Sequence, residues 1–360
     1  MIENYYIIIF LFCASLTAVL TFFVIKLAWK WDIVDHPSEK RKIHEKPTPL
    51  LGGVAIFLAF FLSLFLLREN LIIGDLEYHH WLGFFAGAVF LIIGGFLDDK
   101  YKLRPSRQVI WPILAVLCVI AGGVGITKIS NPFNDLFYLD TVTLTIFKWG
   151  DSTYYLTLLR DAFTFLWLMA MMYTTKLLDG VDGLVSGVVA IGGFIIFLFT
   201  TTTQYYQPDI ALASLILMAC CLGFLIFNWS PAKIFLGEGG SLLLGYLLGV
   251  LAIISGGKIA IAFLVLGLPV LDLLWTIIRR LWSGQNPFKT ADKKHLHHKL
   301  LNWGLSPEQT SLVFYFFALI FGVSALFLQT TGKILAILGL ILLMFFLVTG
   351  LKRLGSKDRV

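Results

Sequence analysis

The sequence predicts an all-α polytopic membrane protein with about 10–11 transmembrane helices, judged by the length an apolar helix needs to cross a bilayer. Three observations predict it. Hydrophobic residues make up 58% of the 360-residue chain and charged residues only 14%, whereas soluble domains carry about a quarter charged residues. Mean hydropathy is +0.85. Apolar runs of membrane-spanning length recur from one end of the chain to the other, so the spans belong to a single integral-membrane domain, 1–360, not to an anchor on a soluble body.

Taken in order, the candidate spans are 5–28, 50–67, 82–97, 109–127, 156–175, 184–203, 210–227, 241–254, 259–278, 311–329 and 333–351. Several are short for a bilayer, which predicts broken or tilted helices. The first run lacks a basic leader and a small-residue cleavage site, so it reads as a span and not a cleavable signal. Cys13, Cys118, Cys220 and Cys221 all sit inside apolar runs. They read as small core residues, without disulfide or metal spacing.

Charge sets the orientation. The loops after the odd-numbered spans, with the C-terminal tail, hold 21 of the 28 Lys and Arg residues. The opposite face holds Arg68, Lys128, Lys148, Arg160, Lys258 and Lys333. Basic residues stay on the cytoplasmic side, so the N-terminus is expected outside and the C-terminus in the cytoplasm. The net charge of +6 is first a topology signal and second an attraction for anionic lipid or phosphate. Without a basic domain carrying interleaved aromatics, no nucleic-acid partner is expected. On the outer face, TVTLTIFKWGDSTYYL alternates Val142, Leu144 and Ile146 with threonines before Gly150-Asp151, the pattern of a small external β-hairpin. A solvent-facing connector is the plainer reading of that hairpin.

Every unusual polar cluster falls on the inner side, in loops near 29–49, 98–108, 176–183, 228–240 and 279–310. A transporter or flippase would place polar groups near mid-membrane; this chain collects them at one interface. Asp98-Asp99 follows Gly94-Gly95 at a helix C-terminus, where acids oppose the helix dipole. The pair suits phosphate handling or Mg²⁺, or else a solvated helix end. In KLLDGVDGL, Lys176 precedes Asp179 and Asp182, whose spacing would put both acids on one helix face. Glu238 lies in GEGGS, where glycine-rich backbone before a helix reads as an anion cradle and Ser241 as a cap, or as a plain tight loop. His295, His297 and His298 form HLHH beside Lys293, Lys294 and Lys299. Phosphate binding or proton transfer suits them better than zinc, since no cysteine accompanies them. His295 and His298 would share a helix face. Arg41, Lys42, His44 and Lys46 form a basic run that would bind phosphate or anionic headgroups. Asp272, seven residues before Arg279, reads as an interfacial ion pair with it.

RKIHEKPTPLLGG, LDDKYK, LLDGVDGL, PAKIFLGEGGS, LPVLD and HLHHKLLNWG, in this order and on one face, resemble the polyprenyl-phosphate N-acetylhexosamine-1-phosphate transferases. That superfamily also contains the phospho-MurNAc-pentapeptide translocase. The His-X-His-His form is similar to the N-acetylglucosamine-1-phosphate branch. The resemblance implies a UDP-sugar donor, UDP-N-acetylglucosamine, and undecaprenyl phosphate as acceptor. It also implies Mg²⁺ as cofactor (Mn²⁺ as the alternative ion) and UMP as leaving group, in the bacterial inner membrane with the site facing the cytoplasm. A homodimer is a candidate assembly. By the same resemblance Asp98, Asp99, Asp179, His295, His297 and His298 are catalytic, and Glu238 with Asp99 faces the metal. Lys46, Lys102 and Lys176 are substrate-side lysines, Asp182 lies near the nucleoside and Phe235 stacks on uracil. The chain departs from the family twice: Lys176 stands where Asn is usual, and Glu238 where Asp is usual. A charged lysine cannot ligate a metal, so the two changes together imply a rearranged subsite in which Lys176 pairs with Glu238 or with a phosphate oxygen. The alternatives kept open are the pentapeptide translocase, a transport protein for polyprenyl phosphates, and a catalytically retired homologue that binds them.

Overall fold

The computed structural model describes residues 2–37, 46–71, 76–130, 136–149, 152–202, 205–256, 259–284 and 295–354. The helices are α1 (Ile2–Lys30), α2 (Gly52–Leu66), α3 (Tyr78–Tyr101), a short α4 (Pro105–Gln108) leading into α5 (Ile110–Ala121), α6 (Leu158–Leu178) and α7 (Leu184–Thr200). They continue as α8 (Pro208–Asn228), α9 (Gly237–Ile254), α10 (Ile259–Val265), α11 (Gly267–Trp282), α12 (Leu296–Asn302), α13 (Pro307–Phe327) and α14 (Thr330–Leu354). Among the described residues, α1, α3, α8, α9 and α13 are long and apolar enough to cross a membrane. The α10–α11 pair, bent by 82°, makes a sixth span if counted as one. α2, α4 with α5, α7 and the Thr330–Phe346 part of α14 are apolar but shorter, and α6 occupies the remaining predicted span. The chain is a multi-pass membrane protein, and the expected broken helix is the α10–α11 pair.

α9 is the axis of the bundle. Its apolar window is 89% buried, and it packs on α2, α3, α6, α7, α8 and α10. α1, at 28% buried, lies at the rim, where Ile8, Leu11 and Phe23 are exposed. Apolar side chains turned outward are what a bilayer requires of its solute. Inside, polar side chains bridge helices: Tyr246 donates to the Phe84 carbonyl at 2.8 Å and Trp167 Nε1 to the Gly249 carbonyl at 3.1 Å.

Among the described residues, three antiparallel strand pairs accompany the helices. β1 (Val34–Asp35) pairs with β2 (Thr48–Pro49), β3 (Lys128–Ser130) with β4 (Leu136–Tyr138), and β5 (Thr143–Trp149) with β6 (Ser152–Thr157). The last pair covers the segment read as a hairpin, with a register irregularity between Thr145 and Phe147. Its 150–151 turn lies outside the described residues.

One crossing positions the polar end of the bundle. The glycine pairs at the start of α2, late in α3 and at the start of α9 meet there. A methyl group on Gly53 would overlap the Gly240 backbone, and one on Gly95 would overlap the Gly239 backbone. Small residues let membrane helices approach backbone to backbone, where packing must supply the attraction that water does not. The loop before α2 is stitched to the loop before α9: Gly52 and Gly53 N–H donate to the carbonyls of Phe235 and Leu236, and Phe235 N–H donates to Pro49. The glycines of GEGGS, expected as an anion cradle, are therefore packing positions. Ser241 does not cap α9, which begins four residues earlier; its hydroxyl donates to the Glu238 carbonyl inside the first turn.

Candidate active site

The crossing brings the C-terminus of α3 against the N-terminus of α9. Asp99 Oδ1 accepts from the Glu238 N–H at 3.1 Å, and its other oxygen rests on Gly237. An acid that would oppose the dipole of its own helix thus sits at the positive end of another. Buried Asp98 is compensated differently. Its Oδ1 accepts from the Leu103 N–H at 2.8 Å and from Gln108 Nε2 at 3.1 Å, which folds the chain back after α3. Lys176, in the last turn of α6, places Nζ 2.7 Å from Glu238 Oε2 and 3.3 Å from Gln108 Oε1. Lys176 therefore links the Glu238 wall to the Asp98 wall through one glutamine. Asp99 lies within electrostatic reach of Glu238, Asp98 and Asp179.

Asp179 and Asp182 do not share a helix face as their spacing suggested. α6 ends at Leu178, Asp179 caps it, and Asp182 lies in the following turn. Asp179 opens to the surface, yet crowding by surrounding protein, then the carboxylates of Glu238 and Asp182, pushes its carboxyl up to about 8. Asp182 Oδ2 accepts from the Ala232 N–H at 3.0 Å. Asn228, at the end of α8, accepts from Gly183 N–H and Ser186 and donates to the Ile234 carbonyl, locking the two loops together. Phe235, half-buried, is carried by that locked loop.

The histidines dock on the same loop. His297 is buried with Nε2 2.7 Å from where a methyl on Gly180 would sit, so glycine beside Asp179 admits the ring. Burial, then His298 and His295, holds the His297 imidazole well below its usual range, so it is neutral near pH 7 and not a fixed cation. His295 precedes α12 and stacks parallel on His297, centroids 5.8 Å apart, while His298 lies 4.3 Å from His297. His295 and His298 thus both approach His297. Asp272, expected to pair with Arg279, instead accepts from His295 Nδ1 at 2.8 Å and from the Leu296 N–H at 3.1 Å. A carboxylate on Nδ1 fixes the tautomer and leaves Nε2 for other partners. Asp272→Asn removes a charge-assisted hydrogen bond of about 1.5–3 kcal/mol. A loss of about 10–100-fold in turnover is expected, measured as release of the leaving group.

Lys46 and Lys102 are exposed, at the entry to β2 and after α3, and Lys102 N–H donates to the Asp98 carbonyl at 2.8 Å. Arg41, Lys42, His44, Lys293 and Lys294 lie outside the described residues. Sequence reasoning missed Gln108, Asn228 and the role of Asp272. Gln108 is the last residue of the 98–108 loop, and nothing in one sequence marks a neutral amide as the link between two acids.

One family and many known proteins resemble this chain. The profile of glycosyl transferase family 4 matches residues 81–256. A probable undecaprenyl-phosphate N-acetylglucosaminyl 1-phosphate transferase of Bacillus subtilis is 32% identical over 96% of this chain and 92% of its own length. An undecaprenyl-phosphate alpha-N-acetylglucosaminyl 1-phosphate transferase of Thermotoga maritima is 29% identical over 86% of each chain. A phospho-N-acetylmuramoyl-pentapeptide-transferase of Listeria monocytogenes is 33% identical over 62% of this chain and 65% of its own.

Proposed function

This chain belongs to glycosyl transferase family 4, and from that premise we propose that it transfers N-acetylglucosamine-1-phosphate from UDP-N-acetylglucosamine to undecaprenyl phosphate. The products are the lipid diphosphate sugar and UMP. The site would face the cytoplasm from the bacterial inner membrane. The observation that carries the reading is convergence: Asp98-Asp99, Lys176, Asp179, Glu238 and the HLHH histidines come from four distant segments to one end of the bundle. The near full-length match to an N-acetylglucosaminyl 1-phosphate transferase favours that sugar over the pentapeptide donor, as does HLHH.

In the proposed reaction an oxygen of the lipid phosphate attacks the β-phosphorus of the donor. The bond from that phosphorus to the bridging oxygen breaks, and UMP leaves with the electron pair. A phosphate monoester has its second pKa near 6, so at neutral pH the nucleophile is mostly dianionic and needs no strong base. Positioning and charge stabilisation then carry the rate. Asp98, rigid through Leu103 and Gln108, would orient the lipid phosphate or take its residual proton. His297 and His298 would donate hydrogen bonds to diphosphate oxygens, and Phe235 would stack on uracil.

Among the described residues no three His, Cys, Asp or Glu side chains form a metal cage. The donor set still fits Mg²⁺, which binds through one or two carboxylates plus substrate phosphates and water. Asp99 and Glu238 would hold it, and when bound it would neutralise diphosphate charge. The decisive assay is purified protein with undecaprenyl phosphate, Mg²⁺ and a panel of UDP-sugars. UMP release is expected with UDP-N-acetylglucosamine and not with UDP-MurNAc-pentapeptide. Release with none of the panel would reject the proposal.

A further inference from the structure

We propose that Lys176 is a resident counter-charge on Glu238, one that keeps the acidic cluster from holding a divalent cation until a diphosphate arrives. The inference rests on the transferase reading and concerns the two positions where this chain departs from the family it resembles. The Lys176 ammonium occupies Glu238 Oε2 at 2.7 Å and reaches Gln108 Oε1 at 3.3 Å, while Gln108 Nε2 holds Asp98 Oδ1 at 3.1 Å. A cation bound by Glu238 would stand a few ångströms from this fixed positive charge and be repelled. The lysine cannot itself become a ligand.

The pair is built for exchange. The Lys176 side chain is 21% exposed and that of Glu238 36%, while the paired oxygen Oε2 is covered and makes no hydrogen bond, so charge alone holds the contact, and a group of higher charge can take the ammonium from it. Lysine is a point charge on a flexible stem with no fixed fork geometry. An arriving diphosphate offers oxygens of higher charge than one carboxylate. The ammonium moves to them, and the freed Glu238 oxygen turns to the cation that travels with the diphosphate. No bond is made or broken in this step; one ion pair is traded for two. With Asn at position 176 no counter-charge is present, and the same acids would bind the ion before substrate.

The test uses Mn²⁺ as probe, the detergent-solubilised full-length protein, and electron paramagnetic resonance of the free ion, without nucleotide. Wild type is expected to bind Mn²⁺ no tighter than about 1 mM, the weak end of carboxylate sites. Lys176→Asn and Lys176→Gln are expected to bind it at least about tenfold tighter, with the repelling charge removed. Thermal melting of each variant reports folding. Variants that fold and bind no tighter than wild type overturn the inference. So does submillimolar binding by wild type, which requires no variant at all. UMP release by wild type separates the two readings: an inactive wild type rejects the transferase, and an active one with unchanged metal affinity in the variants rejects only the counter-charge.

Discussion

Asp99→Asn yields a folded protein that releases UMP at least about 100-fold more slowly than wild type, the scale of removing one preorganised electrostatic group. The substitution is nearly isosteric. An amide oxygen still accepts from the Glu238 N–H now bonded to Asp99 Oδ1, so the junction between α3 and α9 persists. What disappears is one ionisable carboxyl group in a cluster that includes Asp98, Asp179 and Glu238. If that cluster exists to receive a cation with the donor diphosphate, its loss falls on the chemistry and leaves folding intact. The measurements are UMP release at saturating Mg²⁺ and the thermal midpoint of the detergent-solubilised protein. Wild-type turnover in both Asp99→Asn and Asp98→Asn would remove the acids from the reaction. A collapse of the midpoint would make Asp99 a structural brace.

Much of the fold was legible because the bilayer imposes a simple rule on sequence. Runs that must bury every backbone polar group in a helix are long and apolar, and each predicted span falls on a helix or on the bent α10–α11 pair. The acids and histidines were legible as chemistry because charged side chains are rare in a chain with 14% charged residues. Their geometry was not. Asp179 and Asp182 looked like one helix face because spacing carries no notice of where a helix stops, and α6 stops at Leu178. Asp272 looked like a partner for the nearby Arg279, while its contact is His295, 23 positions away. The glycines misled in the opposite sense. Their freedom to bind anions is a property of isolated loops, and here the α9 N-terminus is filled by the protein's own Asp99. Tertiary contacts of this kind are set by which helices meet, and one sequence holds no record of that.

Gly95→Ala is expected to damage stability and catalysis together, and the coupling is its diagnostic feature. A methyl at this position would overlap the Gly239 backbone, both N and Cα. The obstacle is main chain, so no rotamer change relieves it, and α3 and α9 must separate. Overpacking in a well-packed core costs about 1–3 kcal/mol and at times more. The separation acts on the site directly. Asp99 lies one helical turn beyond Gly95, and Glu238 adjoins Gly239, so the same separation at the crossing lengthens the 3.1 Å bond between them. A displacement of about 1 Å can cost about 100-fold in rate where geometry carries catalysis. Gly339→Ala is the control: the added methyl meets nothing within 4 Å, so it should leave turnover unchanged and raise the midpoint slightly. The expected pair of results is a lowered midpoint with at least about 100-fold slower UMP release for Gly95→Ala, and neither loss for Gly339→Ala. A Gly95→Ala protein with wild-type midpoint and rate would mean that α3 and α9 do not meet through these glycines, and the acids they carry would have to be brought together by something else.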